Sequence, residues 1–578
     1  FYLRPGEGLF MVKLPKYDKE AKVTLRYCDN PVWECVTALP AILEPESASV
    51  FSAAGALYGN AVASGLFREY PGLIAAVREM ASPANAADSL LVSNLEKDAA
   101  LETVTLRNTP WVNDAAAETM RMASLTQYTD TVRSADAVKK ALSRLSDLQR
   151  ADGGWGWCRG MESSEFITYG VLEYLSDLRQ MGYLPRQADG MAKKAFAYCD
   201  KEFVQDWERA KKEYFSVRAM LDYLFVKSAF GAGNSAGFGV LENAAMKKIK
   251  EEWKSFSIDE KAKAAILLSR KGDDSLAGFI LESLHQFGSY TPEKGMWFDN
   301  LPSGLNGDSR LITTARVLEA FSAIRPHNTD IDKLRQWLVL SRQTENWGDS
   351  RNLAGVIRAL LSSGTKWTVP SETPSFRIGG REIAAPHIAK YTGSLTVDLN
   401  PLEVSGKTLE VVKKSSGPSW GGVISQYVAP ILDVKAEKVP QLSIAKAVYV
   451  IEGGQTGEKA VSSQLRVGDR VRVTLSITSD RDMDYVAVTD ARSACLEPDG
   501  QVSGYISSDG VGMYMEVRNE STNLFIPFLP KGTHVISYDC HVDREGVYSL
   551  GIATAQSQYS PLMVAHSAGA ELSVKDME

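Results

Sequence analysis

The stretches of this chain that could do chemistry are few, and each has to be weighed against the context its chemistry needs. Gly417-Pro418-Ser419-Trp420-Gly421 fits G-x-S-x-G, in which a serine nucleophile sits on a strained strand-to-helix elbow with an acid and a histidine later in the chain. Asp433, His534, His541 and His566 are available as partners. However, Gly422 to Val428 reads as a strand, and the region lacks α/β alternation, so the serine reads as part of a turn whose Trp420 packs on a sheet. Asp480-Arg481-Asp482-Met483-Asp484 matches the start of a calcium loop, but position 6 is Tyr485 and position 12 is Ala491. Without the glycine turn and the bidentate glutamate, an EF-hand fails, and the acids read as solvated loop residues. Gly231-Ala232-Gly233 follows a helix-like run, Leu221 to Ala229, so it lacks the strand a dinucleotide loop requires. Asp273-Asp274 and Asp330-Ile331-Asp332 are the nearest approach to the clustered acids of a terpene cyclase; both fall at expected helix ends, where carboxylates favour the dipole.

Metal and redox chemistry find little to use. There are six histidines and no HExxH. Cys28, Cys35, Cys158, Cys199, Cys495 and Cys540 form no CxxC pair and no zinc-type cluster. They read as buried thiols, with a single Cys495–Cys540 bridge left open. No metal and no cofactor is expected. The net charge is −7 and the pI near 5.7, which argues against nucleic-acid binding. No run of 18 apolar residues occurs, so no membrane span is expected. The opening residues, FYLRPGEGLFMVKLP, have neither the apolar core nor the cleavage site of a signal peptide, and read as the inside of a β-domain of a longer protein.

The elements that must position these residues change twice along 578 residues, a length that suits about three to five domains. Residues 1–28 alternate polar and apolar, as strands do. From Asn30 to about Leu361 the period is helical. Ile167, Val171, Tyr174 and Leu178 share one face, as do Leu353, Val356, Ile357, Leu360 and Leu361, after Asp349 and Ser350 as cap candidates. More than ten helices of about 10–18 residues fit this stretch. A loose repeat runs through it: Gln149 to Trp157 (QRADGGWGW), Gln343 to Gly348 (QTENWG) and, more weakly, Glu293 to Trp297 (EKGMW), each ahead of a helix. Such Gly/Trp turns suit stacked helical hairpins, in which glycine permits the tight backbone and tryptophan fills the wedge. After Trp367 the period falls to two: Leu395, Val397 and Leu399, then Val471, Val473, Leu475 and Ile477. Turn signals every 8–12 residues suit β-sandwiches, and a junction is expected near Glu437 to Pro440.

Several segments, in this order, resemble the C-terminal part of bacterial α2-macroglobulin-like proteins. Tyr27-Cys28-Asp29-Asn30-Pro31-Val32-Trp33, with Ala38-Leu39-Pro40, resembles the opening of their thioester domain. Thr109-Pro110-Trp111 resembles a loop within it, as do Gly153, Gly154, Trp155, Gly156 and Trp157 followed by Ile167-Thr168 and Gly182-Tyr183. Trp420-Gly421-Gly422 with Gln426-Tyr427 looks like the CUB-like domain. Tyr538, Gly546 to Tyr548, Tyr559 and His566-Ser567-Ala568-Gly569 look like the final macroglobulin-like sandwich. The signature positions are Trp33, Trp111, Gly153, Gly154, Trp155, Trp157, Trp420, Tyr538, Tyr559 and His566, all in structural roles.

The resemblance implies an α/α toroid of helical hairpins plus two antiparallel β-sandwich domains. Residues 29–365 would form the toroid, inserted into a discontinuous CUB-like unit of 1–28 and 366–438, with 439–578 as the terminal sandwich. It also implies a protease inhibitor, not an enzyme, of the periplasm or cell surface, whose partners are proteases or other proteins and its own N-terminal macroglobulin domains. The bait region is expected N-terminal to Phe1, so this chain alone is expected not to inhibit. The family's C-x-E-Q motif is missing. After Pro40 the chain reads Ala41 to Ser52 without Cys or Gln, and the first Gln is Gln127. The residues three past each cysteine are Pro31, Ala38, Met161, Glu202, Pro498 and Asp543. The expected function is therefore trapping without a covalent bond, with an adhesion or assembly module as the alternative.

Overall fold

The structure, a computed structural model, describes residues 1–45, 47–81, 119–299, 309–342, 347, 350–363, 374–383, 393–413, 417–426, 429–439, 441–452, 455–456, 464–500, 502–557 and 563–576. Its fold is a helical toroid with β-sheets before and after it in the chain, antiparallel except where Gln464–Arg466 runs parallel to Glu571–Lys575.

Six helices close the inner ring. They are α2 (Val50–Glu69), α5 (Glu165–Gln180), α7 (Val217–Phe230), α9 (Ile258–Arg270), α11 (Arg310–Ile324) and α13 (Ser350–Ser362). Each packs on the next, and α13 packs back on α2. The outer layer comprises α1 (Pro31–Ala38), α4 (Thr131–Leu148), α6 (Arg186–Arg209), α8 (Phe238–Glu252), α10 (Asp274–Phe287) and α12 (Asp330–Ser341), while α3 (Pro71–Met80) comes directly after α2. The two layers differ in sequence for a physical reason. An inner helix is buried on most of its faces, its charged side chains included, whereas an outer helix needs one apolar stripe. In α2, Gly55 lets Ser350 approach and Gly59 lets Ile42 approach; a Cβ there would meet their side chains at 2.8 and 2.9 Å. Capping side chains start many of these helices: Asn30, Ser49, Asp130, Ser216, Asp273 and Ser309 each accept from a backbone N–H of the first turn. Ser257 and Glu260 form a capping box on α9.

Two expectations need correction. Helices here reach 20 residues in α2 and 24 in α6. In addition, α2 is long and apolar enough to cross a membrane by length and composition, which the search for an unbroken apolar run missed; 83% of that window is buried inside the fold, so its apolar surface serves the toroid core.

Before and after the helices lie two four-stranded sheets with mixed parentage. One has the order β1 (Tyr2–Leu3), β10 (Ser419–Gln426), β3 (Lys22–Cys28), β8 (Ser394–Leu399). The other has β2 (Leu9–Lys13), β9 (Thr408–Val412), β6 (Ser375–Ile378), β7 (Arg381–Ile383). A further pair, β4 (Ser289–Thr291) and β5 (Gly295–Trp297), makes a hairpin within the helical body. β3 is flanked on both sides by strands from the far end of the chain, in the register Leu25↔Val397 and Leu25↔Val423. Val23, Leu25, Tyr27, Phe376, Leu395, Val397, Leu399 and Leu409 share one buried core. The terminal sandwich holds a separate core, including Val471, Val473, Leu475 and Ile477, the alternating residues of its strand Arg470–Ser479.

Candidate functional site

Three places could carry function: the segment after Pro40, the toroid axis, and the contact between the toroid and the terminal sandwich.

The segment after Pro40 leads into α2. Ser49 caps this helix by accepting from the Ser52 amide at 3.2 Å, and Ser47 Oγ donates to Ser49 Oγ at 2.9 Å. Glu44 pairs with Arg144 at 2.6 Å, while Glu46 lies outside the described residues. The neighbouring strand bridge joins Ser49 to Cys158, and the Val50 amide donates to the Trp157 carbonyl at 2.9 Å. The Gly/Trp turn is thus built against the start of α2. Gly153 takes a positive φ, and a Cβ there would meet the Lys194 carbonyl at 2.7 Å; one at Gly156 would meet the Glu162 carbonyl at 2.5 Å. Trp155 is fully buried and donates to the Leu145 carbonyl at 3.1 Å. Trp157 is 52% exposed and edge-on to Phe51.

The toroid axis is filled with charge. Arg316 reaches Glu173 at 2.5 Å, Glu319 at 3.0 Å and Asp259 at 3.5 Å. Arg358 binds Asp177 at 2.8 Å and also Glu319. Lys263 joins Asp259 at 2.6 Å and Asp222 at 2.8 Å. Arg351 and Arg270 close the set on Glu173 and Glu319. The network therefore sets five carboxylates (Glu173, Asp177, Asp222, Asp259 and Glu319) against five cations. Burial would raise Glu173 and Asp259, but Arg316 and Lys263 outweigh it and hold both below the ordinary carboxylate range. Burial wins at Asp177, which is pushed up to about 7 despite Arg358. Glu173, Asp222, Asp259 and Glu319 are each held in ion pairs with cations of the inner helices. Sequence reasoning missed this network. Its signal was a few isolated charges in apolar helices, such as Arg316 and Glu319 three apart and Arg358 within Leu353 to Leu361.

The third place is a cleft lined by Lys294, Trp297, Asp299, Arg310, Asp480, Arg481 and Lys531. Glu293 to Trp297, expected as a turn, belongs to the hairpin of β4 and β5. Here two of the three aspartates read as a calcium loop take different cations. Asp480 pairs with Lys294 at 2.6 Å, and Asp482 with Arg310 at 3.4 Å.

The remaining sequence candidates fall into structural positions. Ser419 is buried at the first position of the eight-residue strand Ser419–Gln426, not at a strand-to-helix elbow. Gly231 is the left-handed C-cap of α7. Asp273 caps α10 and pairs with Lys250 at 2.8 Å, and Asp330 pairs with His285 at 2.5 Å and Lys333 at 2.8 Å. Trp33 is buried on α1, and Trp420 is buried and stacked on Tyr2. The Tyr538 hydroxyl donates to Asp490 at 2.6 Å, and Asp490 pairs with Lys446 inside the sandwich. His566 exchanges two backbone hydrogen bonds of 3.0 Å with Glu437, tying the linker to the sandwich. Trp111 and Tyr559 lie outside the described residues. All six thiols are free, so no Cys495–Cys540 bridge is present. Among the described residues no cluster of three or more His, Cys, Asp or Glu is arranged to hold a metal.

The family model of the bacterial alpha-2-macroglobulin MG10 domain matches residues 442–561. No curated protein matches the chain. Among solved structures it is similar to Salmonella alpha-2-macroglobulin reacted with methylamine, at 16% identity and a TM-score of 0.38, covering 100% of this chain and 33% of that one. An Escherichia coli alpha-2-macroglobulin from domain MG7 to the C-terminus gives 14% identity and 0.38, covering 100% and 81%. The trypsin-activated form of the Escherichia coli protein gives 15% identity and 0.44, covering 100% and 35%. The chain spans about a third of the length of the first of these. Residues 442–561, within the terminal sandwich, are thus similar to the MG10 domain of bacterial alpha-2-macroglobulins.

Proposed function

We propose that the chain is the C-terminal part of a thioester-less bacterial alpha-2-macroglobulin homologue, which holds proteases without covalent capture. The observation that carries the reading is the MG10 match over 442–561 together with a chain in which no cysteine has Gln three residues on. A thioester of that family needs both groups. In its place, the run from Ser47 to Ser52 supplies hydroxyls spent on capping α2. We assign residues 29–365 to a thioester-type toroid without thioester, 1–28 with 366–438 to a discontinuous CUB-like unit, and 439–578 to the macroglobulin-like sandwich. The strand pairing of β3 with β8 and β10 supports the discontinuous unit. In this reading the chain is not an enzyme, and its site is the periplasm or cell surface.

The test uses the full-length protein. Nicked by trypsin or elastase, it is expected to change shape and retain the protease in a complex that dissociates completely in denaturant. Methylamine is expected to release no thiol. A protease that is not retained would favour an adhesion or assembly module, and a newly released thiol would overturn the thioester-less assignment.

A further inference from the structure

We propose that residues Asp480 to Asp482 form an ionic latch that seats the terminal sandwich on the helical body and whose strength sets whether the two separate. These residues lie between the sandwich strands Arg470–Ser479 and Met483–Ala491. They meet the helical body at alternating charges. Asp480 takes Lys294 at 2.6 Å; Asp482 takes Arg310 at 3.4 Å; Lys531 of the sandwich lies 3.6 Å from Asp299; and Asp299 also takes Arg310 at 3.1 Å. Within the sandwich, the Lys531 amide donates to Asp482 at 2.8 Å and Arg481 holds Asp480 at 2.9 Å, so the loop is fixed before it docks.

The receiving surface is equally fixed. Gln336 of α12 donates to the carbonyls of Pro292 and Glu293 at 2.8 and 3.1 Å. Gly295 lies against α12, where a Cβ would meet the Lys333 carbonyl at 2.3 Å. On the hairpin's other flank, Arg4 donates to Tyr290 and Pro292. One rigid hairpin thus bears the N-terminal β-segment and the terminal sandwich together.

The latch pairs expose between about a fifth and two fifths of each side chain. Ion pairs this close to water weaken as salt rises, since the screening length falls from about 10 Å at 0.1 M to about 3 Å at 1 M. The contact is therefore expected to loosen as salt rises. This deepens the trapping reading, because trapping requires domains that move. Its test needs no protease, so the two can fail separately.

The measurement is small-angle scattering on the 578-residue chain in low and high salt, for the wild type and for K294Q/R310Q. The wild-type radius of gyration is expected to grow with salt. The double variant is expected to start at the larger radius in low salt and to lose the salt dependence. Its far-UV spectrum and melting midpoint report whether the helical body is intact. Should that variant unfold, D482N/K531Q alters the same contact from the sandwich side and is expected to give the same larger radius. A wild-type radius that does not respond to salt, or a folded variant as compact as the wild type in low salt, overturns the latch.

Discussion

At the residue scale, exposure separates side chains that the sequence presents as equivalents. Trp155 and Trp157 sit two apart in one turn, yet the first is fully buried with its indole N–H paired and the second is half exposed. Trp155→Ala is expected to cost about 3–5 kcal/mol in denaturant melts, and Trp157→Ala less than about 1 kcal/mol. The cysteines divide the same way. Burial pushes the thiols of Cys28, Cys35, Cys199 and Cys495 up, and Cys540 up to about 12, so they resist thiolate chemistry. Cys158 is partly exposed beside the start of α2. A thiol reagent is therefore expected to label Cys158 first in the native chain, and Cys158→Ser to remove that fast phase. All six thiols should react after denaturation. A shortfall of two would mean that a disulfide forms after all.

At the element scale, the inner helices carry paired charge where an isolated sequence suggests apolar core. Arg358 on α13 joins Asp177 of α5 to Glu319 of α11, so removing it breaks the Asp177 ion pair and leaves Glu319 to Arg316 and Arg270. Arg358→Ala is expected to destabilise by about 3–5 kcal/mol, whereas an isolated exposed pair such as Lys247–Glu251 is worth about 0.3–0.5 kcal/mol. The pH dependence has two opposing parts. Asp177 titrates near 3.8 when unfolded and at about 7 when folded, so the folded chain holds the extra proton and stability falls as pH rises between those values. Glu173 and Asp259 are held below their unfolded values; their stabilisation is present above about pH 4 to 5 and is lost on further acidification. Chemical melts from about pH 4 to 8 should show the falling limb in the wild type and its loss in Asp177→Asn. The helical periods of α5 and α13 were legible because their apolar residues repeat. The ionic axis was not, because the partners come from five different helices.

At the scale of the whole molecule, the N-terminal strands are structural parts of the sheets built from the chain beyond the toroid. β3 is central in its sheet, so deleting residues 1–28 removes its bonds to β8 and β10 and uncovers Leu395, Val397 and Leu409. Limited proteolysis of that deletion is expected to cut within residues 393–426 and to leave the sandwich, with its separate core, resistant. Cleavage confined to the sandwich would contradict this coupling. By itself, the sequence determined the element types and the order helix-rich then strand-rich, because a period of 3.6 or 2 is a local property of neighbouring side chains. It also determined that no cysteine has Gln three residues on. Only the tertiary structure decided which strands from opposite ends share a sheet, that five carboxylates meet five cations on the toroid axis, and that Asp480 and Asp482 take cations from the helical body. Each of these is a contact between residues far apart in the chain, selected by burial, charge and packing, which sequence spacing does not encode.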